Sequence, residues 1–167
     1  MLPVLMVQDA YSLSVFRNSF DRETLRRLLP GAVAGIIVGA STAAWITADH
    51  IRVGVGLLSV LFCLNAWLGG RLTRAGEARE HDWRSALALG GMAGVSSFVI
   101  HAGGPPFNMY VLARGLSREV FVGTGTVFFA IVNVLKLPAY FGLGQFSWET
   151  VALSAVLCPI AIAANAA

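Results

Sequence analysis

Hydrophobic positions along this chain come in long blocks, divided by short polar connections, with no period-2 alternation. Residues 28–48 and 53–70 carry no charge, and each is about long enough to cross some 30 Å of hydrocarbon as a helix. Residues 85–113 are also uncharged, but too long for one straight crossing and interrupted by Gly103-Gly104-Pro105-Pro106. Residues 120–144 hold one charge, Lys136, and residues 150–167 hold none. Residues 2–16 form a shorter block, read as the tail of a longer helix. The pattern predicts an all-α, polytopic transmembrane helix bundle with a broken, re-entrant helix at 103–106.

The connections carry nearly all the charge. Arg17, Arg22, Arg26 and Arg27 lie in 17–27, Arg71, Arg74, Arg79 and Arg84 in 71–84, and Arg114 and Arg118 in 114–119. Residues 49–52 hold only Arg52, and 145–149 hold no arginine. Lysine and arginine in short loops mark the cytoplasmic side. The count puts 17–27 and 71–84 inside and 49–52 outside. It also favours a segment 85–113 that folds back, so that 114–119 returns inside.

Composition agrees with membrane residence. Of 167 residues, 56% are hydrophobic and 13% charged, about half the charge of an ordinary soluble domain. The net charge of +3 and the scattered arginines argue against a nucleic-acid partner. Cys63 and Cys158 sit inside apolar blocks and read as small buried hydrophobes. No leader with a basic start and a cleavage site is apparent, and both ends fall inside apolar sequence. The expectation is a single transmembrane domain over 1–167 that is a piece of a larger protein.

Candidate chemistry lies in two places. At the break, two glycines remove the Cβ barrier to unusual dihedrals, and two prolines end one helix and suit the first turn of the next. A half-helix starting near Pro105 is expected to present the free N–H groups of Phe107 and Asn108, with a positive dipole end, to an anion. Lys136 is the second place. A lysine at bilayer depth costs about 2.5–3.5 kcal/mol and usually faces the bundle interior; the bland alternative is a chain snorkelling to the surface, since Pro138 and Gly142 suggest a nearby helix end. Asn133, three residues earlier, shares its helix face. An amide and an ammonium on one face suit an oxyanion. His101, beside the break, is the candidate for a coupled proton.

Other polar groups have plainer readings. Asp9 carries the same insertion cost as Lys136, but a longer helix would place it near an end. Thr124 and Thr126 are expected to bond back to their own helix. His50 and His81, with Glu77, Glu80 and Asp82, read as solvated. Gly31, Gly35 and Gly39, and likewise Gly90 and Gly94, repeat at four-residue spacing and suit close helix packing. No nucleophile–base pair, metal-ligand spacing or phosphate-cradling loop is present, so neither an enzyme nor a metal or other cofactor is expected.

Together Ala102-Gly103-Gly104-Pro105-Pro106, Leu112-Ala113-Arg114-Gly115-Leu116-Ser117, Phe128-Phe129 and the run from Asn133 through Lys136 to Tyr140 resemble the C-terminal half of the TauE/SafE sulfite-exporter family. Leu29-Pro30-Gly31 onward resembles the family's middle region. The resemblance implies a bacterial inner-membrane permease of two related halves, each with a glycine–proline break, exporting sulfite or organosulfur anions with an ion gradient. Only one such break is present, so the N-terminal repeat is expected to be missing, or supplied by a second copy or a partner. On this reading Gly103, Gly104, Pro105, Phe107, Asn108, Asn133 and Lys136 bind the anion. The alternatives are an inactive truncated carrier and a membrane subunit that packs through its glycine faces without transporting.

Overall fold

The computed structural model describes residues 2–16, 19–68 and 83–142. Over those residues the chain is helical, with no strand: α1 (Leu2–Phe16), α2 (Arg22–Thr42), a 3-10 turn (Ala43–Trp45), α3 (Ala48–Trp67), α4 (Trp83–Ile100), α5 (Gly104–Leu112) and α6 (Arg118–Gly142). Three stretches are long and apolar enough to cross a membrane, Asp49–Trp67, Trp83–Ile100 and Arg118–Gly142. Arg17, nearly all of the basic connection 71–84, the loop 145–149 and the final apolar segment with Cys158 lie outside the described residues.

The helices start earlier than the apolar blocks do. The expected span 28–48 is the greater part of α2, which begins in the charged stretch at Arg22 and ends at Thr42. Its early turns, read from sequence as loop, carry the Glu23–Arg27 ion pair at helical spacing. The uncharged part from Leu28 to Thr42 rises only about 21 Å, short of the hydrocarbon thickness. Similarly, 49–52 is not a free loop but the first turn of α3. Thr47 caps that helix, accepting from the His50 N–H while the His50 ring accepts from the Thr47 N–H. Asp49 and Arg52 pair at 2.7 Å beside it. Val53, Leu57 and Val60 on α3 are exposed, as a lipid-facing helix requires. Cys63 on the same helix is exposed, contrary to the buried position expected of it.

The described chain divides into two compact units. Arg22 to Ser117 form one, in which α2 packs along α4 and α5 packs against α4 and α3. The α2 residues Leu25, Leu28, Gly31, Ala32, Gly35, Ile36 and Gly39 are buried on one face, at i, i+3, i+4 and i+7 spacing. The glycines bring the backbones together. A Cβ on Gly35 would strike the Gly91 carbonyl and lie 2.9 Å from the Val95 nitrogen. One on Gly94 would strike the Ala32 carbonyl, and one on Gly90 the carbonyl of Leu28. The four-residue glycine spacing thus does what small residues do between membrane helices.

The other unit contains α1 and α6, packed on each other. Gly123 of α6 lets the Ser19 backbone approach so closely that no Cβ would fit. Thr124, next to it and fully buried, donates to its own Val120 carbonyl at 2.6 Å, as expected from sequence, and also accepts from the Asp21 N–H at 2.9 Å. The α6 helix runs through Pro138 to Gly142, so that proline does not stop it.

Candidate functional site

In the α1–α6 unit three polar side chains meet. Asn133 Nδ2 donates to Asp9 Oδ2 at 2.6 Å, and Lys136 Nζ donates to Asn133 Oδ1 at 3.1 Å. Helical spacing explains the second bond, since residues three apart stack on one face. The first joins positions 124 residues apart and exists because α1 lies against α6. Lys136 has no exposed surface and Asn133 only 5%. The lysine therefore does not snorkel, and its placement is interior.

The chemistry of the three groups fixes their order. A carboxylate only accepts and an ammonium only donates, whereas an amide does both. Asn133 must turn its nitrogen to Asp9 and its oxygen to Lys136. The result is a charge pair relayed through a neutral amide. Among the described residues no buried side-chain nitrogen or oxygen lacks a hydrogen-bond partner. A helix centred in the hydrocarbon places Lys136, six residues from the middle of α6, about 9 Å from the midplane, within the ~15 Å half-thickness. Asp9 is at the midpoint of the 15-residue α1. Each charge alone is expensive there; linked, they offset much of each other's cost.

Sequence reading singled out Lys136 and Asn133 but set Asp9 aside as a helix-end residue. The helix continues seven residues beyond it, and it faces α6. The signal that could have found it was already visible: an isolated acid in one apolar block and an isolated base in another.

The break belongs to the unit of α2 to α5. It lies at 101–103, just ahead of the expected 103–106, because Gly104 already begins α5 and Pro105-Pro106 occupy its first turn. The unusual backbone is not glycine's. His101 is left-handed, with φ 55°, while Gly103 sits in the ordinary right-handed region at φ −73°. A left-handed residue after a helix lets the following amide turn back on it, and Ala102 N–H reaches the Ser96 carbonyl at 3.2 Å. Histidine is among the non-glycine residues that tolerate this conformation. His101 is exposed, Gly103, Pro106 and Phe107 are buried, and Gly104, Pro105 and Asn108 are half-buried.

The expected donors also need correction. Phe107 N–H is not free but bonds to the Gly103 carbonyl at 3.3 Å, and Asn108 follows it in the helical ladder. Pro105 and Pro106 have no N–H. The amides that the ladder leaves unused at this helix start are those of Gly103 and Gly104. Nothing lies within 4 Å of where a Gly104 Cβ would be. The nine-residue α5 rises about 13 Å, too little to cross a bilayer alone. Among the described residues no cluster of His, Cys, Asp and Glu could hold a metal ion.

Comparison with known proteins gives one match. The family model described as Sulfite exporter TauE/SafE covers residues 1–167, the whole chain. No curated protein and no solved structure matches it significantly.

Proposed function

The chain belongs to the sulfite exporter TauE/SafE family, and from that premise we propose that it moves a small anion, sulfite or a sulfonate, across a bacterial inner membrane with an ion gradient. The observation that carries this reading is a fully buried lysine, bonded to Asn133, in an apolar helix long enough to span the bilayer. An ammonium held there attracts a negative solute that the hydrocarbon otherwise excludes, and the amide supplies direction to the oxyanion through N–H donation. In the other compact unit the start of α5 is a second, separate candidate for anion contact. Gly103 and Gly104 offer N–H groups at a positive helix end, Pro105 and Phe107 shape that end, and Asn108 lends a polar side chain. Discontinuous helices serve many carriers in this way.

The test is anion efflux from proteoliposomes loaded with sulfite or with a small sulfonate. Lys136→Ala is expected to lower the initial rate about ten- to a hundredfold, because removing a charged hydrogen-bond partner typically costs about 1.5–3 kcal/mol. An unchanged rate in a folded Lys136→Ala protein removes the lysine from the mechanism. Absence of saturable flux in the unaltered chain rejects transport by it.

A further inference from the structure

Anion binding at Lys136 raises a question of charge that the α1–α6 pair answers. Lys136 already has a negative partner in Asp9, reached through Asn133. An oxyanion arriving at the lysine and the amide brings a second negative charge into the same buried place. Two anions sharing one cation in a low-dielectric site are costly, and protonation of one of them is the ordinary relief. The carboxylate is the member of the site able to take that proton.

We propose that Asp9 is the protonation site that couples proton uptake to anion binding, a proposal that rests on the transport reading above. As the anion takes over the Asn133 N–H and the Lys136 ammonium, an O–H bond forms on the Asp9 carboxyl. When the anion leaves, that proton leaves too, and Asn133 Nδ2 returns to Asp9. The site's charge balances throughout: ammonium with carboxylate when empty, ammonium with a monovalent anion and a neutral acid when filled. One proton moves per monovalent anion.

The surroundings suit this role. On α6, the helix packed against α1, Lys136 faces Asp9 through Asn133, and Tyr140 lies one turn further along the same face, buried. Arg118 and Glu119 are at the opposite end of that helix, about 20 Å from Asn133. On α1 itself the neighbouring titratable group is Tyr11, two positions on and so directed to another side. His101, the group that sequence favoured for the proton, is exposed and shapes the end of α4 through its left-handed backbone.

The experiment uses the 167-residue chain in liposomes enclosing a pH-sensitive dye. The probes are sulfite and methanesulfonate, the latter because it stays fully ionised and carries no proton of its own. An imposed pH gradient is expected to drive anion accumulation in the unaltered chain. In Asp9→Asn the anion is expected still to move down its own gradient, while the pH gradient no longer accumulates it. Retained pH-driven accumulation in Asp9→Asn overturns the proposal and leaves the transport reading standing. No flux of either probe in the unaltered chain rejects both. Should Asp9→Asn fail to fold, Asp9→Glu keeps the carboxyl but moves it by a methylene. Its accumulation is expected to persist with a displaced pH midpoint, and an unmoved midpoint counts against Asp9. His101→Asn, which tolerates the same backbone, is expected to stay coupled. Loss of coupling there transfers the role to the histidine.

Discussion

The helix pairs α2–α4 and α1–α6 are both apolar and both rely on glycine for close approach, yet they are built for different ends. Along α2–α4, Gly31, Gly35, Gly90 and Gly94 meet backbone carbonyls of the facing helix, and the buried side chains are small or aliphatic apart from Phe98, which packs against Gly39. Nothing ionisable is buried at that seam. The α1–α6 unit has such a point at Gly123, against Ser19 just after α1, and then departs from the scheme by setting a half-buried carboxylate against a buried amide and a buried ammonium. Close packing alone would not call for these three groups. The first seam is what a membrane scaffold requires; the second carries a cost that a scaffold has no reason to accept.

The largest effect expected from breaking this contrast falls on the charged seam. Asp9→Ala leaves the buried Lys136 charge without its half-buried carboxylate, which should destabilise the protein by up to about 3 kcal/mol, where the range for breaking a fully buried pair begins. Asp9→Asn combined with Lys136→Met removes both charges and should recover most of that loss while abolishing anion flux. Thermal or SDS-driven unfolding of the detergent-solubilised protein measures both. A double variant no more stable than Asp9→Ala would mean that the two charges are not energetically linked.

How far the sequence discloses these seams depends on the range of the interactions involved. The glycine register of α2 and α4 is local, repeats every four residues, and was legible. Lys136 and Asn133 were legible for the same reason, since helix geometry alone puts them on one face. Asp9 was not paired with them, because its bond to Asn133 needs the docking of α1 on α6, and no local pattern encodes a contact across 124 positions. The break was located to within about two residues. Its backbone was misassigned to glycine, because Gly103-Gly104 are the obvious candidates for a left-handed turn while His101 adopts it. Helix starts at Arg22 and Ala48 were missed because apolar runs mark the buried stretch of a helix and say nothing of the charged turn that precedes it.

An intermediate effect is expected on the glycine seam. Gly35→Leu drives a side chain into the Gly91 carbonyl and should cost about 1–3 kcal/mol, as overpacking does, by forcing α2 and α4 apart. Gly54→Ala on α3 is the matched control. No atom lies within 4 Å of its added Cβ, and alanine is the better helix former, so stability should hold or rise slightly. Equal losses for the two variants would show that glycine serves helix flexibility in general rather than the α2–α4 approach. Where Gly35→Leu still folds, its anion flux should fall far less than that of Lys136→Ala.

The smallest effect sharpens the contrast from the side of charge. The α2–α5 unit has its own ionic cluster: Glu23 pairs with Arg27 one turn on and reaches Arg114, in the turn after α5, at 3.5 Å. By residue type it resembles Asp9 with Lys136. Its setting differs, because the Glu23 side chain is 55% exposed. Water and salt screen such a pair, so Glu23→Gln should cost no more than about 0.5–1 kcal/mol, and added salt should reduce even that. It should leave anion flux and its dependence on a pH gradient unchanged, whereas Asp9→Asn alters the second. Unfolding midpoints at low and high ionic strength, read beside the flux assay, separate the two cases. If Glu23→Gln abolished pH-driven accumulation as well, coupling would not depend on the carboxylate's link to the buried lysine, and the distinction drawn between the two seams would fail.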